Sequence, residues 1–200
     1  MNRSRMLSKW MLGLALAALP VVGTAAAQLS IGDAVPDVSI ADENGASHKL
    51  SDHRGKVVVF EWTNPDCPFV QRHYGADTME KLSRQLGATG VVWYAVNSTN
   101  YNKPADTIAW KKEQGFEYLT LQDQDGKLGH LMGARTTPHM FVVGPDGKLA
   151  YAGAIDDDPR GRAEKPKNYV SNAAQALLAG GALDPSSTEP YGCSVKYASK

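Results

Sequence analysis

Residues Val57-Val58-Val59-Phe60-Glu61-Trp62 form a nearly unbroken apolar run of strand length. A strand with one face in water alternates apolar and polar residues, whereas a strand covered on both faces does not. Such a strand requires helices on both sides of its sheet, and the rest of the chain supplies them. Residues 69–86 place Val70, His73, Tyr74, Met79, Leu82 and Leu86 at approximately helical spacing, and Gly87 and Gly90 end the segment. A second buried strand spans Gly90–Val96, and a helix spans Pro104–Gln114 with proline in its first turn. A short strand (118–121), a short helix (126–132), two strands (140–143 and 149–152) around Pro145-Asp146-Gly147, and a helix from 168 to 178 complete the series. The order β-α-β-α-β-α-β-β-α predicts an α/β fold: a mixed central sheet with helices on both faces.

The first 27 residues have a different character. Arg3, Arg5 and Lys9 precede an apolar stretch, Trp10–Val22, and Ala25-Ala26-Ala27 follows. That sequence of features predicts a secretory signal peptide of bacterial type, cleaved after Ala27, with the periplasm as destination. The apolar stretch, about 13 residues, is shorter than the roughly 20 needed to span a bilayer, so no stable membrane insertion is expected after cleavage. Residues 28–181 are expected to form one domain, and 182–200 a C-terminal tail of turn-forming composition with no visible periodicity. Net charge is zero for the whole chain and about −3 without the three basic leader residues, so no basic surplus points to nucleic acid.

Two cysteines, Cys67 and Cys193, are the whole thiol inventory. Cys67 follows the strongest strand, in Trp62-Thr63-Asn64-Pro65-Asp66-Cys67-Pro68-Phe69-Val70. Sites in open α/β sheets form beyond the carboxyl ends of strands. A cysteine at a helix N-terminus also has its thiolate favoured by unpaired backbone N–H groups and the helix dipole. The bland alternative is a small buried hydrophobe. A second candidate element is Arg135-Thr136-Thr137-Pro138-His139, ahead of a core strand, where proline marks a tight turn that is commonly cis. Glu61 sits in a buried strand, which calls for a partner: a proton-accepting role near the thiol competes with pairing to Lys56 or another basic residue. The run Asp156-Asp157-Asp158 lacks calcium-loop spacing and reads as a solvated turn.

A strand, a Cys-Pro turn opening a helix, a Thr-Pro turn, a Pro-Asp-Gly hairpin and Gly153-Ala154-Ile155-Asp156-Asp157 together resemble the thioredoxin-like superfamily. More narrowly, Cys-Pro-Phe-Val (67–70) and Gly-Cys-Ser-Val-Lys-Tyr (192–197) resemble exported redoxins of the AhpC/TSA, peroxiredoxin-like type. The resemblance implies a thioredoxin-like fold and a thiol-dependent oxidoreductase with Cys67 as nucleophilic or peroxidatic thiol. It implies a Thr-Pro turn at Pro138 facing the cysteine, and His139 close by.

Departures from the family pattern limit what carries over. Thioredoxins use Cys-x-x-Cys, but the second position here is Val70, so Cys67 has no local partner to resolve a mixed disulfide. Peroxiredoxins use Pro-x-x-x-Thr-x-x-Cys with an activating arginine. Phe60 and Asn64 occupy the proline and threonine positions, Thr63 is one residue out of register, and Pro138 stands where the arginine belongs. Arg135 is a nearby candidate substitute. Cys193, 126 positions after Cys67, is the remaining candidate partner, either as resolving thiol or as half of a structural staple, unless both thiols stay unpaired. Thr63, Asn64, Pro138, His139 and Arg135 are thus candidate substrate or thiolate contacts. Expected partners are a thiol protein reductant or a disulfide substrate, with peroxide a further candidate, and no dissociable cofactor. The rival reading is a non-catalytic or copper-handling thioredoxin-like binding module built on Cys67 and His139.

Overall fold

In the computed structural model, residues 28–199 are described; the leader reading of residues 1–27 lies outside them. A small hairpin, β1 (Ile40–Ala41) and β2 (Ser47–His48), precedes the core. The chain then runs through β3 (Val58–Thr63), α1 (Pro68–Gly75), α2 (Thr78–Gly87), β4 (Val92–Asn97), α3 (Pro104–Gln114), β5 (Thr120–Gln122) and α4 (Lys127–Met132). It continues through β6 (Thr136–Thr137), β7 (His139–Val143), β8 (Leu149–Gly153), α5 (Tyr169–Leu178) and β9 (Cys193–Ser194).

The central sheet has the order β5-β4-β3-β7-β8. Strands β3, β4 and β5 are parallel, and β7 and β8 are antiparallel additions. Strand β3 lies in the middle with every residue buried, as its apolar run demands. Its side chains alternate between two cores. Val57 and Val59 meet Val70 and Tyr74 of α1, Met79 and Leu82 of α2, and Val170 of α5. Val58, Phe60 and Trp62 meet Leu128 and Met132 of α4 and Val35 of the N-terminal segment. This is the mixed, two-faced α/β sheet of the thioredoxin-like fold. Gly147 in the β7–β8 turn takes φ +79°, a left-handed conformation that a Cβ would strain.

Three expectations change. The single helix expected over 69–86 is broken at Ala76-Asp77, with Asp77 in the left-handed region at φ 53°. The cause is phase: the five-residue step from Tyr74 to Met79 would turn Met79 away from the core in one continuous helix. The tail, expected to lack regular structure, contains β9, which pairs antiparallel with β6. Asp156 is buried beneath Tyr191 rather than solvated, although Asp157 is exposed.

Candidate active site

Strand β3 ends at Thr63, and a tight turn carries the chain into α1. Asn64 builds that turn: its Oδ1 accepts the Asp66 N–H at 2.8 Å, and its carbonyl accepts the Cys67 N–H at 3.0 Å. Cys67 then takes an extended conformation as the N-cap of α1, with Pro68 in the first turn, where its missing N–H costs nothing. The Cys67 side chain is only 1 % exposed.

Three segments converge on its sulfur. The thiol donates to the Thr137 carbonyl at 2.9 Å, next to the cis Thr137–Pro138 peptide. The Thr137 hydroxyl is buried without a hydrogen-bond partner and lies near enough to the sulfur to favour its thiolate. From α1 comes the Val70 N–H, and from β9 come both the N–H and the thiol of Cys193. Burial pushes the Cys67 thiol up, but these donors stabilise the thiolate more, and the net shift is downward. Cys193 moves the other way, raised by burial and by the neighbouring Cys67. The two thiols, unbonded here, are therefore unequal. Cys67 is the more acidic and the more buried; Cys193 is half-exposed.

The remaining sequence candidates divide. Pro138 lies at the site, directly after the residue that touches the sulfur. Arg135 points elsewhere: its guanidinium pairs with Glu189 at 3.2 Å on the surface. His139 is 4 % exposed, accepts the Arg135 N–H through Nδ1 and packs on Phe141. Burial, aided by the Arg135 charge, holds it down to about 3, so it is neutral at physiological pH. Thr63 is buried at the end of β3, its hydroxyl near Tyr74 and without a hydrogen-bond partner. Among the described residues, no three His, Cys, Asp or Glu side chains are grouped to hold a metal ion.

Among the described residues Glu61 has no basic partner, so the pairing reading does not hold. Fully buried, it accepts hydrogen bonds from Tyr74 Oη (2.9 Å), Trp93 Nε1 (3.0 Å) and Tyr118 Oη (3.2 Å). Burial outweighs these donors and raises its carboxyl to about 7. Sequence reasoning missed two site features, the Thr137 hydroxyl and the Val70 N–H. Thr137 was open to discovery as the neighbour of Pro138; a backbone donor leaves no signal in residue type.

Comparisons with known proteins identify the family and the fold. The profile of the AhpC/TSA family matches residues 31–152, which include Cys67 and Pro138 but not Cys193. The thiol:disulfide interchange protein DsbE of Escherichia coli K12 is 31 % identical over 127 residues, covering 61 % of this chain and 64 % of that protein. A hypothetical protein from Sinorhizobium meliloti 1021 superposes with a TM-score of 0.78 at 20 % identity, over 87 % of this chain and 98 % of its own. An uncharacterised protein from Geobacillus kaustophilus gives the same TM-score at 23 % identity, over 86 % and 95 %. With a profile match across more than half of its length, the chain belongs to the AhpC/TSA family and carries that family's domain on a thioredoxin-like fold.

Proposed function

We propose that this chain is a thiol-disulfide oxidoreductase in which Cys67 is the nucleophile and Cys193 the resolving thiol. The observation that carries the reading is the placement of Cys193 against Cys67 by the β6–β9 pairing. A thiolate attacks a disulfide in line with its ionised fraction and its access, and a second thiol completes the exchange. Here the thiolate is favoured by four donors, and the second thiol comes from the tail instead of from position 70. Two cysteines 126 positions apart in sequence thus replace a local Cys-x-x-Cys.

Disulfides suit the site better than peroxides. The groups facing the sulfur are neutral hydroxyl, amide and thiol donors, while Arg135 is engaged with Glu189. The kinship with the disulfide interchange protein supports the same choice. The basic, apolar and Ala-rich order of residues 1–27 supports export to an oxidising compartment, where a partner thiol protein would supply reducing equivalents.

The test is reduction of a small mixed-disulfide substrate at the expense of dithiothreitol. Turnover is expected from the parent chain and lost in Cys67→Ser. Equal rates in the two proteins would contradict the proposal.

A further inference from the structure

The tail is seated in a built groove. Segment 186–188 runs along β8, with Ala152 N donating to Ser186 O at 3.3 Å and Thr188 N to Ala152 O at 3.2 Å. Tyr191 then packs against Phe69 and under the Arg72 guanidinium, its hydroxyl bonded to Asp156 and His73. Cys193 stands opposite Thr137, and Val195 N donates to Arg135 O at 3.0 Å. Tyr197 ends the run, stacked on His130 at 4.1 Å and donating to Ala134 O at 2.9 Å.

Glycines make the room. A Cβ at Gly129, inside α4, would stand 2.3 Å from the Tyr197 hydroxyl. A Cβ at Gly192 would stand 2.0 Å from the Thr137 carbonyl oxygen, a backbone atom that cannot step aside. The seat therefore reads an extended peptide at three points: an aromatic ring, a cysteine two residues later and a second ring four residues after that. With this peptide in place, Cys67 is 1 % exposed, so an external disulfide reaches it only when the tail lifts.

We propose that the groove under the tail is the docking site for a partner protein's extended segment whose disulfide-bonded cysteine has an aromatic residue two positions before it and another four positions after. This rests on the redox reading above and adds the partner's shape. The partner segment displaces the tail and pairs with β6 as an added strand. The Cys67 thiolate attacks the segment's cysteine, forming a mixed disulfide and releasing the partner's other sulfur as thiolate. The returning tail brings the Cys193 thiolate onto Cys67, closes the Cys67–Cys193 disulfide and expels the segment's cysteine as thiolate. Two electrons pass to the partner, and the protons of the two chain thiols end on its two sulfurs.

The experiment uses the full chain carrying Gly192→Val, which unseats the tail, with Cys193→Ser. The probes are a peptide of this chain's residues 189–198, its cysteine activated as the thionitrobenzoate disulfide, and the same peptide with both tyrosines replaced by alanine. The tyrosine peptide is expected to modify Cys67 about tenfold faster, which is ~1.4 kcal/mol of docking. Adding Gly129→Ala, which fills the second ring's seat, is expected to remove part of that advantage. Equal rates for the two peptides, with glutathione disulfide still modifying Cys67, would overturn the docking site alone. No modification by either peptide or glutathione disulfide would overturn the redox reading beneath it. Tyr197→Ala with Cys193→Ser gives the same comparison if Gly192→Val impairs folding.

Discussion

Cys193 stands directly opposite Thr137 across the β6–β9 ladder, and Thr137 is the residue whose carbonyl accepts the Cys67 thiol. One backbone pairing therefore sets the relation between the chain's two sulfurs. It also makes their roles separable by mutation.

With glutathione disulfide, Cys193→Ser is expected to accumulate a stable glutathione adduct on Cys67, because nothing remains to displace it. In Cys67→Ser the surviving thiol loses the upward push of Cys67 but keeps that of burial and lacks the donors that favour the Cys67 thiolate, so it is expected to react more slowly. Intact mass spectrometry over a time course checks both. A transient adduct in Cys193→Ser that clears without added thiol would contradict the assignment of the resolving role.

Thr137→Val keeps the shape of the side chain and removes the hydroxyl near the sulfur. A donor to a charged group favours the ionised form, so without the hydroxyl the Cys67 thiol is expected to titrate at a higher pH. The pH dependence of alkylation by iodoacetamide reads this directly. An unchanged midpoint would remove Thr137 from the thiolate's support.

Glu61 makes stability pH-dependent. Its folded value of about 7 lies above the ordinary 4.5, so between these pH values the folded chain holds a proton that the unfolded chain has lost. This group's contribution is fully present below pH 4.5 and is lost as pH rises through 7, on the order of 3 kcal/mol in total. Glu61→Gln is expected to flatten that slope in urea unfolding across the same window. A slope identical to the parent's would show that Glu61 titrates normally.

Val70→Cys would place a second thiol at the local position that the family's dithiol members use. Combined with Cys193→Ser, it is expected to restore turnover that Cys193→Ser alone lacks, since the role lost with the tail is only that of second thiol. Val70 is fully buried in the core beside Cys67, so a smaller side chain fits there, at about 1 kcal/mol in stability. Continued inactivity in a folded double variant would mean that the tail does more than supply sulfur.

The parts visible in the sequence are those written in local pattern. The unbroken run of β3 announced a strand covered on both faces, Cys67-Pro68 announced a helix start, and Pro145-Asp146-Gly147 announced the β7–β8 turn. What the sequence hid depends on contacts between distant residues. Strand β9 is two residues long and exists because Thr136–Thr137 offers a free edge. Glu61 sits in a ring of tyrosines and tryptophan contributed by α1, β4 and the approach to β5, so no neighbouring basic residue was needed. Arg135 looked like an activating arginine by position, yet Glu189 from the tail draws it to the surface.

The most direct measurement of the central claim is differential thiol trapping and peptide mass spectrometry after one equivalent of glutathione disulfide. The account predicts an early glutathione adduct on Cys67 that converts to a Cys67–Cys193 crosslinked peptide pair within a single chain. No adduct on Cys67 and no 67–193 crosslink, with both cysteines still alkylated as free thiols, would contradict it.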